Sequence, residues 1–220
     1  MYNITLISTV HTERGRCNAD ELFKIIESID PEVIFEELPA KLFDIVYSGY
    51  PIFDGVLEIK CIRKYLVAHD IKHIPVDIEG SSNLSTVESQ YMFNALAKYD
   101  VLKKIEYEQK LLIEQGGFAY LNSKEYSELF DRKKSVEIEL MGFSVNGGRL
   151  AEIHRIFYQE QEYRENEMLQ NIYNYSRDNP FDRAVFLIGA GHRRSIFEKV
   201  LNYQGVDHLR LNWTFYNSCD

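Results

Sequence analysis

Cysteine is scarce in this chain of 220 residues, and the three present, Cys17, Cys61 and Cys219, form no CxxC pair and no Cys/His cluster. That excludes a disulfide framework and a thiolate zinc site, and it points to free thiols in a reducing compartment. Basic charge is also short: 25 Lys and Arg stand against 34 Asp and Glu, for a formal net charge of -9. A nucleic-acid surface built on overall charge is thereby excluded, because phosphate binding needs clustered cations. Long apolar runs are missing as well. The first, residues 4–10, spans about seven positions without a basic lead, against the ~20 a membrane helix needs, and reads as a strand rather than a signal peptide. The expectation is a cytoplasmic protein with no membrane and no nucleic-acid partner. Internal repeats and low-complexity tracts are absent too, which sets aside solenoids and disordered linkers.

What is present is a hydrophobic fraction of 45%, enough at this length for one domain over 1–220 to bury a core without a staple. Residues 4–10 are rich in β-branched side chains and read as a buried first strand. Asn18 with Glu21 is a capping-box variant, and the helix it starts carries Leu22, Ile25, Ile26 and Ile29 before Pro31. Residues 32–38 read as a second strand closed by Pro39, 56–69 as a helix and 71–78 as a third strand. Such alternation marks βαβ units and a parallel sheet.

The pattern then changes. After a loop at 80–83, Ser85 and Glu88 form a capping box. Helical sequence runs to a stop at Gly116-Gly117, resumes over 123–141, and after the Asn146-Gly147-Gly148 turn continues to Asn179-Pro180. Residues 183–192 read as a fourth strand, 194–203 as a helix ended by Gly205, and 208–215 as a last strand. The expected fold is α/β: a mostly parallel central sheet flanked by helices, with an all-helical insertion over 84–177 between the third and fourth strands.

Chemistry collects at the strand ends. The first strand ends at His11, the second at Glu36-Glu37, the third at Asp77, beside Glu79, and the fourth at His192. In open α/β sheets ligands bind outside the carboxyl ends of the strands. Two imidazoles and two or three carboxylates at one end of a sheet can form a divalent metal site or an acid/base pair. Only one of Glu36 and Glu37 can point each way across the pleat. The other histidines, His69, His73, His154 and His208, read as structural or surface groups.

Five segments together resemble the ordered motifs of the TraB/Tiki proteins, which share a fold superfamily with the erythromycin esterases and ChaN-like haem-binding proteins. They are Ser8-Thr9-Val10-His11, Pro31 to Leu38, Asp77, Arg164-Glu165-Asn166-Glu167-Met168 and Gly189-Ala190-Gly191-His192. The resemblance implies an erythromycin esterase/ChaN-like fold. It places His11 and His192 as the histidines of two GxxH motifs, the first with Ser8 for glycine, prefers Glu37 to Glu36 as the functional carboxylate, and assigns Arg164 to the family's Arg-x-x-x-Met helix. Tiki members are similar to metal-dependent peptidases, and erythromycin esterases use histidine and glutamate without an established need for metal. The chain departs from the family pattern at Asp77-Ile78, where an Asp-Arg pair is usual, and at Arg193-Arg194, where a glycine turn is usual.

The expected activity is that of a metal-dependent hydrolase of amide or ester bonds. A divalent ion (Zn, Mn or Co) on His11, Glu37 and His192 would acidify its water, with Glu36 or Asp77 taking the proton and Arg164 orienting a carboxylate or stabilising the oxyanion. Arg14, Arg16, Arg193 and Arg194 follow the two histidines; they read either as a solvated loop or as the binding site for an anionic small-molecule or peptide substrate. Two rivals remain: a metal-free esterase with His11 as general base oriented by Glu37, and a non-enzymatic module holding a haem- or nucleotide-like ligand. The tips of His11, Glu37 and His192 are expected within about 8 Å of one another, under a cover formed by the helices of 84–177.

Overall fold

The computed structural model describes residues 2–79, 84–202 and 209–217. Among them, β1 (Asn3–Thr9), β2 (Val33–Pro39), β3 (Lys72–Asp77), β4 (Arg183–Gly189) and β5 (Asn212–Phe215) form one sheet in the order β3-β2-β4-β1-β5. Every pairing is parallel. The fold is therefore α/β, as the strand–helix alternation predicts. The strands read as near-continuous apolar runs because both faces are covered.

Alternate residues feed two cores. Ile34, Val185 and Leu187 pack with α1 (Ala19–Ile29), α3 (Leu57–Ala68) and the end of α5 (Asp100–Leu121). Phe35, Phe186 and Ile188 face the other way, onto Met168, Leu169 and Ile172 of α7 (Gly147–Asp178) and Ile196 of α8 (Arg193–Asn202). α4 (Thr86–Leu96), α5, α6 (Lys124–Phe143) and α7 lie between β3 and β4 in chain order and share a third core of Met92, Leu96, Leu102, Ile105, Leu129, Met141, Leu150 and Ile153.

The caps follow the sequence. Asn18 accepts the Glu21 N–H at 3.0 Å, and Ser85 and Glu88 form a reciprocal capping box. Three details differ from the reading above. An additional helix, α2 (Ala40–Tyr47), begins directly after Pro39. The helical stretch after Ser85 is two helices, α4 and α5, parted at 97–99. Gly116-Gly117 does not stop α5: Gly117 takes φ 59° as a kink and the helix runs on to Leu121. The position calls for glycine, both for its positive φ and because a Cβ on Gly117 would lie 2.8 Å from Arg16 Cβ. The loop at 80–83, Gly205 and His208 lie outside the described residues.

Topology positions the site. β4 lies between β1 and β2, with Thr9 opposite Gly189 and Glu36 opposite Leu187. The carboxyl ends of β1, β4 and β2 are thus neighbours, and the chain order reverses across them, which is where open α/β sheets carry their crevice.

Candidate active site

Glu37 lies two residues before the end of β2, on the face shared with Phe35, under α7. Its Oε1 accepts from Arg164 Nη2 at 2.8 Å, and its Oε2 accepts the Gly189 N–H at 2.7 Å. The Gly189 position must stay small, since a Cβ there would lie 3.2 Å from Glu37 Oε2. Arg164 is itself gripped by Asp77, with Nε to Oδ1 at 3.1 Å and Nη2 to Oδ2 at 2.5 Å. Burial pushes the Glu37 carboxyl up, but His192, the Gly189 N–H and Arg164 outweigh it and hold it at about 2.

His192 follows β4 in a short 3₁₀ turn, Ala190–His192. Its Nδ1 meets Glu165 Oε1 at 2.7 Å and its Nε2 meets Glu37 Oε1 at 3.3 Å. Burial opposes its charge. Glu165 and then Glu37 overcome that and raise the imidazole to about 9, so it is an imidazolium at neutral pH. Glu165 also accepts from Ser195 Oγ at 2.5 Å and Lys199 Nζ at 2.8 Å. The result is a row of alternating charge: Asp77, Arg164, Glu37, His192, Glu165, Lys199.

His11 has a different setting. Its Nδ1 lies 3.2 Å from Oε1 of Glu58, in the first turn of α3, and its side chain is 73% exposed. Thr9 Oγ1 donates to the same Glu58 oxygen at 2.6 Å. The Glu58 contact raises the His11 pKa above 6.5, and weaker couplings to Glu37 and His192 register their proximity.

All three residues line one cleft of about 950 Å³. The opposite wall is helical, with Tyr126 and Phe130 from α6, Phe157 and Tyr158 from α7, and Phe93 from α4. The helices of 84–177 thus wall the strand ends, while the later half of α7 packs beneath the sheet.

Several expected residues sit elsewhere. Glu36 shares the opposite face with Ile34 and is consumed by the Tyr47 hydroxyl at 2.9 Å and His73 Nε2 at 2.9 Å, so it takes no proton in the cleft. Asp77 and Arg164 brace Glu37 and are not among the cleft-lining residues. Of the four arginines, only Arg194 lines the cleft, and it is paired with Asp131 and Glu198. Arg193 is buried beside Asn122 and under Phe215. Arg14 and Arg16 lie in a loop tied to Cys17 and α5. The expected pair of inward arginines is therefore not formed, and the anionic substrate loses its basis. The structure adds two carboxylates, Glu58 and Glu165, whose roles the sequence reading lacked.

A divalent ion fits this donor set poorly. No group of three or more His, Cys, Asp or Glu side chains able to hold an ion occurs among the described residues. Physically, both His192 nitrogens face carboxylates that favour the imidazolium, whereas a metal needs the imidazole neutral. No helix among the described residues is long and apolar enough to cross a membrane. Comparison with protein-family models, with curated proteins and with solved structures gives no match.

Proposed function

We propose that the chain is a metal-independent hydrolase of ester or amide bonds on a small-molecule or peptide substrate, with His11 as general base. The observation that carries this reading is the pairing of two histidines in one cleft under opposite constraints. His192 is buried between Glu37 and Glu165 and kept cationic; His11 is open to the cleft on a single carboxylate, Glu58. Pairs of titratable groups held in different environments divide acid and base roles between them.

In the tautomer set by Glu58, His11 Nδ1–H donates to the carboxylate, which leaves Nε2 as the acceptor on a cleft-lining residue. Nε2 takes a proton from water as the oxygen attacks the carbonyl carbon, and returns it to the leaving group. The Glu37 contact of His192 Nε2 is long, at 3.3 Å against 2.7 Å for Glu165, which leaves that N–H to be shared with the developing oxyanion. Arg164 and Asp77 act one step back, holding Glu37 in place. A metal-dependent route on the same residues would require His192 to lose its proton.

The test is hydrolysis of p-nitrophenyl esters and a peptide-amide panel in the presence of a chelator. Turnover should persist with chelator, and His11→Ala should lower kcat by about 100-fold or more, the usual contribution of a general base. The pH profile should rise above pH 6.5 as His11 loses its proton and fall as His192 loses its own near 9. Activity abolished by chelator and restored by Zn, Mn or Co refutes the metal-free reading. Absence of turnover on every substrate refutes the enzymatic one.

A further inference from the structure

The proposed chemistry uses the sheet side of the cleft and leaves its helical side without a task. α6 turns Tyr126, Phe130, Lys134 and Ile138 to the cleft at i, i+4 spacing, so they share one face of the helix. That face borders an opening: Ile138 is 55% exposed and Phe130 is only partly buried. Phe157 of α7 and Phe93 of α4, also partly buried, extend the apolar surface with their rings edge to face at 5.2 Å. The surface reaches the reacting groups. A Cβ on Gly191 would lie 3.5 Å from Phe130 Cζ, which sets that ring against the turn carrying His192. Val10 and Ala190 line the cleft from the sheet side, next in the chain to His11 and close before His192. The cations of the lining are already engaged. Lys133 is held by Glu106 at 2.8 Å, Arg155 by Glu152 at 2.6 Å and Arg194 by Asp131 and Glu198, while the Lys134 ammonium sits 3.8 Å over the Tyr158 ring. An anionic ligand would have to draw one of them off its partner.

We infer that Phe130, Ile138, Phe157 and Phe93 bind the body of the substrate, an aromatic or alkyl group without an anionic substituent, beside the bond that His11 and His192 act on. Apolar surface that borders an open cleft is covered favourably by an apolar ligand, and a few polar groups at one side then fix its orientation. Here the apolar side is the helical wall and the polar side is the pair of histidines, so the body lies on the wall and the carbonyl points to the sheet. Phe130, against the His192 turn, sets how bulky a group can sit next to the carbonyl. Resting on the hydrolase reading, this names the substrate class: esters or amides with an apolar group close to the scissile bond. The surface itself is measurable without turnover.

The probes are acetamide, phenylacetamide and 4-carboxyphenylacetamide, which share the amide and differ in the apolar body and its charge. They are titrated into the full chain carrying labelled phenylalanine, with affinity and ring resonances read by NMR. Phenylacetamide should bind about tenfold more tightly than acetamide, the effect of removing roughly 55 Å² of apolar surface from water. The Phe130 and Phe157 signals should move while Phe143 stays still; it lies on α6 too, but is 80% exposed and outside the cleft lining. The carboxylated probe should bind more weakly than phenylacetamide. Phe157→Ala should lose most of the preference, and His11→Ala should keep it even where hydrolysis is lost. The wild-type titrations do not depend on any variant folding. Equal affinity for acetamide and phenylacetamide, Phe143 moving with Phe157, tighter binding of the carboxylated probe, or a preference that survives Phe157→Ala would overturn the inference, whereas inactivity on every ester with the preference intact would overturn only the hydrolase reading.

Discussion

Replacing Glu165 by Gln puts the charge of His192 to a quantitative test. The substitution keeps an oxygen beside Nδ1, at 2.7 Å in the native protein, and removes its negative charge. His192 has an ordinary pKa of 6.5 and about 9 in the folded chain. A folded pKa raised above the unfolded one gives stability that is complete below pH 6.5 and lost as pH rises through 9. The difference of about 2.5 units corresponds to about 3 kcal/mol at most for this largely buried ring. In Glu165→Gln the burial cost remains and only Glu37 opposes it, so most of that pH dependence should vanish. The assay is urea unfolding of both proteins from pH 6 to pH 10. Cys17 and Cys61, held up to about 12, and His11 titrate alike in both proteins and cancel in the difference. The stability gap should be widest near pH 6 and shrink by ~3 kcal/mol above pH 9. A gap independent of pH, or a wild-type His192 resonance titrating near 6.5, refutes the imidazolium assignment and with it the oxyanion role.

Arg164→Met leaves Asp77 and Glu37 buried without their shared cation, and unfolding free energy should fall by about 3–5 kcal/mol; a loss under about 1 kcal/mol would show the bidentate grip to be dispensable. Gly189→Ala presses a methyl within 3.2 Å of Glu37 Oε2 and loosens the 2.7 Å backbone contact, so ester turnover should drop about tenfold, the effect of one displaced orienting contact; unchanged kcat would remove Glu37 from the mechanism. Glu36→Gln should leave turnover intact while costing about 1–3 kcal/mol of stability at the Tyr47 and His73 contacts; a large fall in kcat at full stability would instead return Glu36 to the site.

The sheet and its strand-end residues were legible because strand position carries them. Apolar runs with β-branched residues mark β1, β2 and β4, and the residue after such a run is at the carboxyl end by construction. His11 and His192 need only that the strand ends be adjacent; position alone leaves Glu36 and Glu37 open, and it is the family resemblance that prefers Glu37. Glu58 and Glu165 were not legible for the opposite reason. Both sit on helices, where the residue meeting the sheet depends on the helix's rotation against it, set by packing of Leu57 and Ile62 or Met168 and Leu169. Glu165 stands among Glu162, Arg164 and Glu167, and no local pattern separates it from a solvated acid. α2 left a signal in the i, i+4 spacing of Leu42, Val46 and Phe43, Tyr47, hidden by the Pro39 boundary. The arginines misled because adjacency in sequence to a site histidine says nothing of side-chain direction: His192 enters the cleft while Arg193, one residue on, turns into the core.

The alternating row from Asp77 to Lys199 bears on how the chain reaches its native state. Its contacts join residues far apart in sequence: Glu37 with Arg164 is separated by 127 positions and Asp77 with Arg164 by 87. A partial set with an odd number of members would strand a charge out of water without its neighbour. The row therefore closes only when β2, β3, β4, α7 and α8 are all docked, late in folding and after the costly long loops are shut. A partly folded chain holds its carboxylates and His192 in water, where the imidazole titrates as an ordinary one. Competence at the cleft and completion of the fold arrive together, so the charged state of a single ring reports whether the whole molecule is assembled.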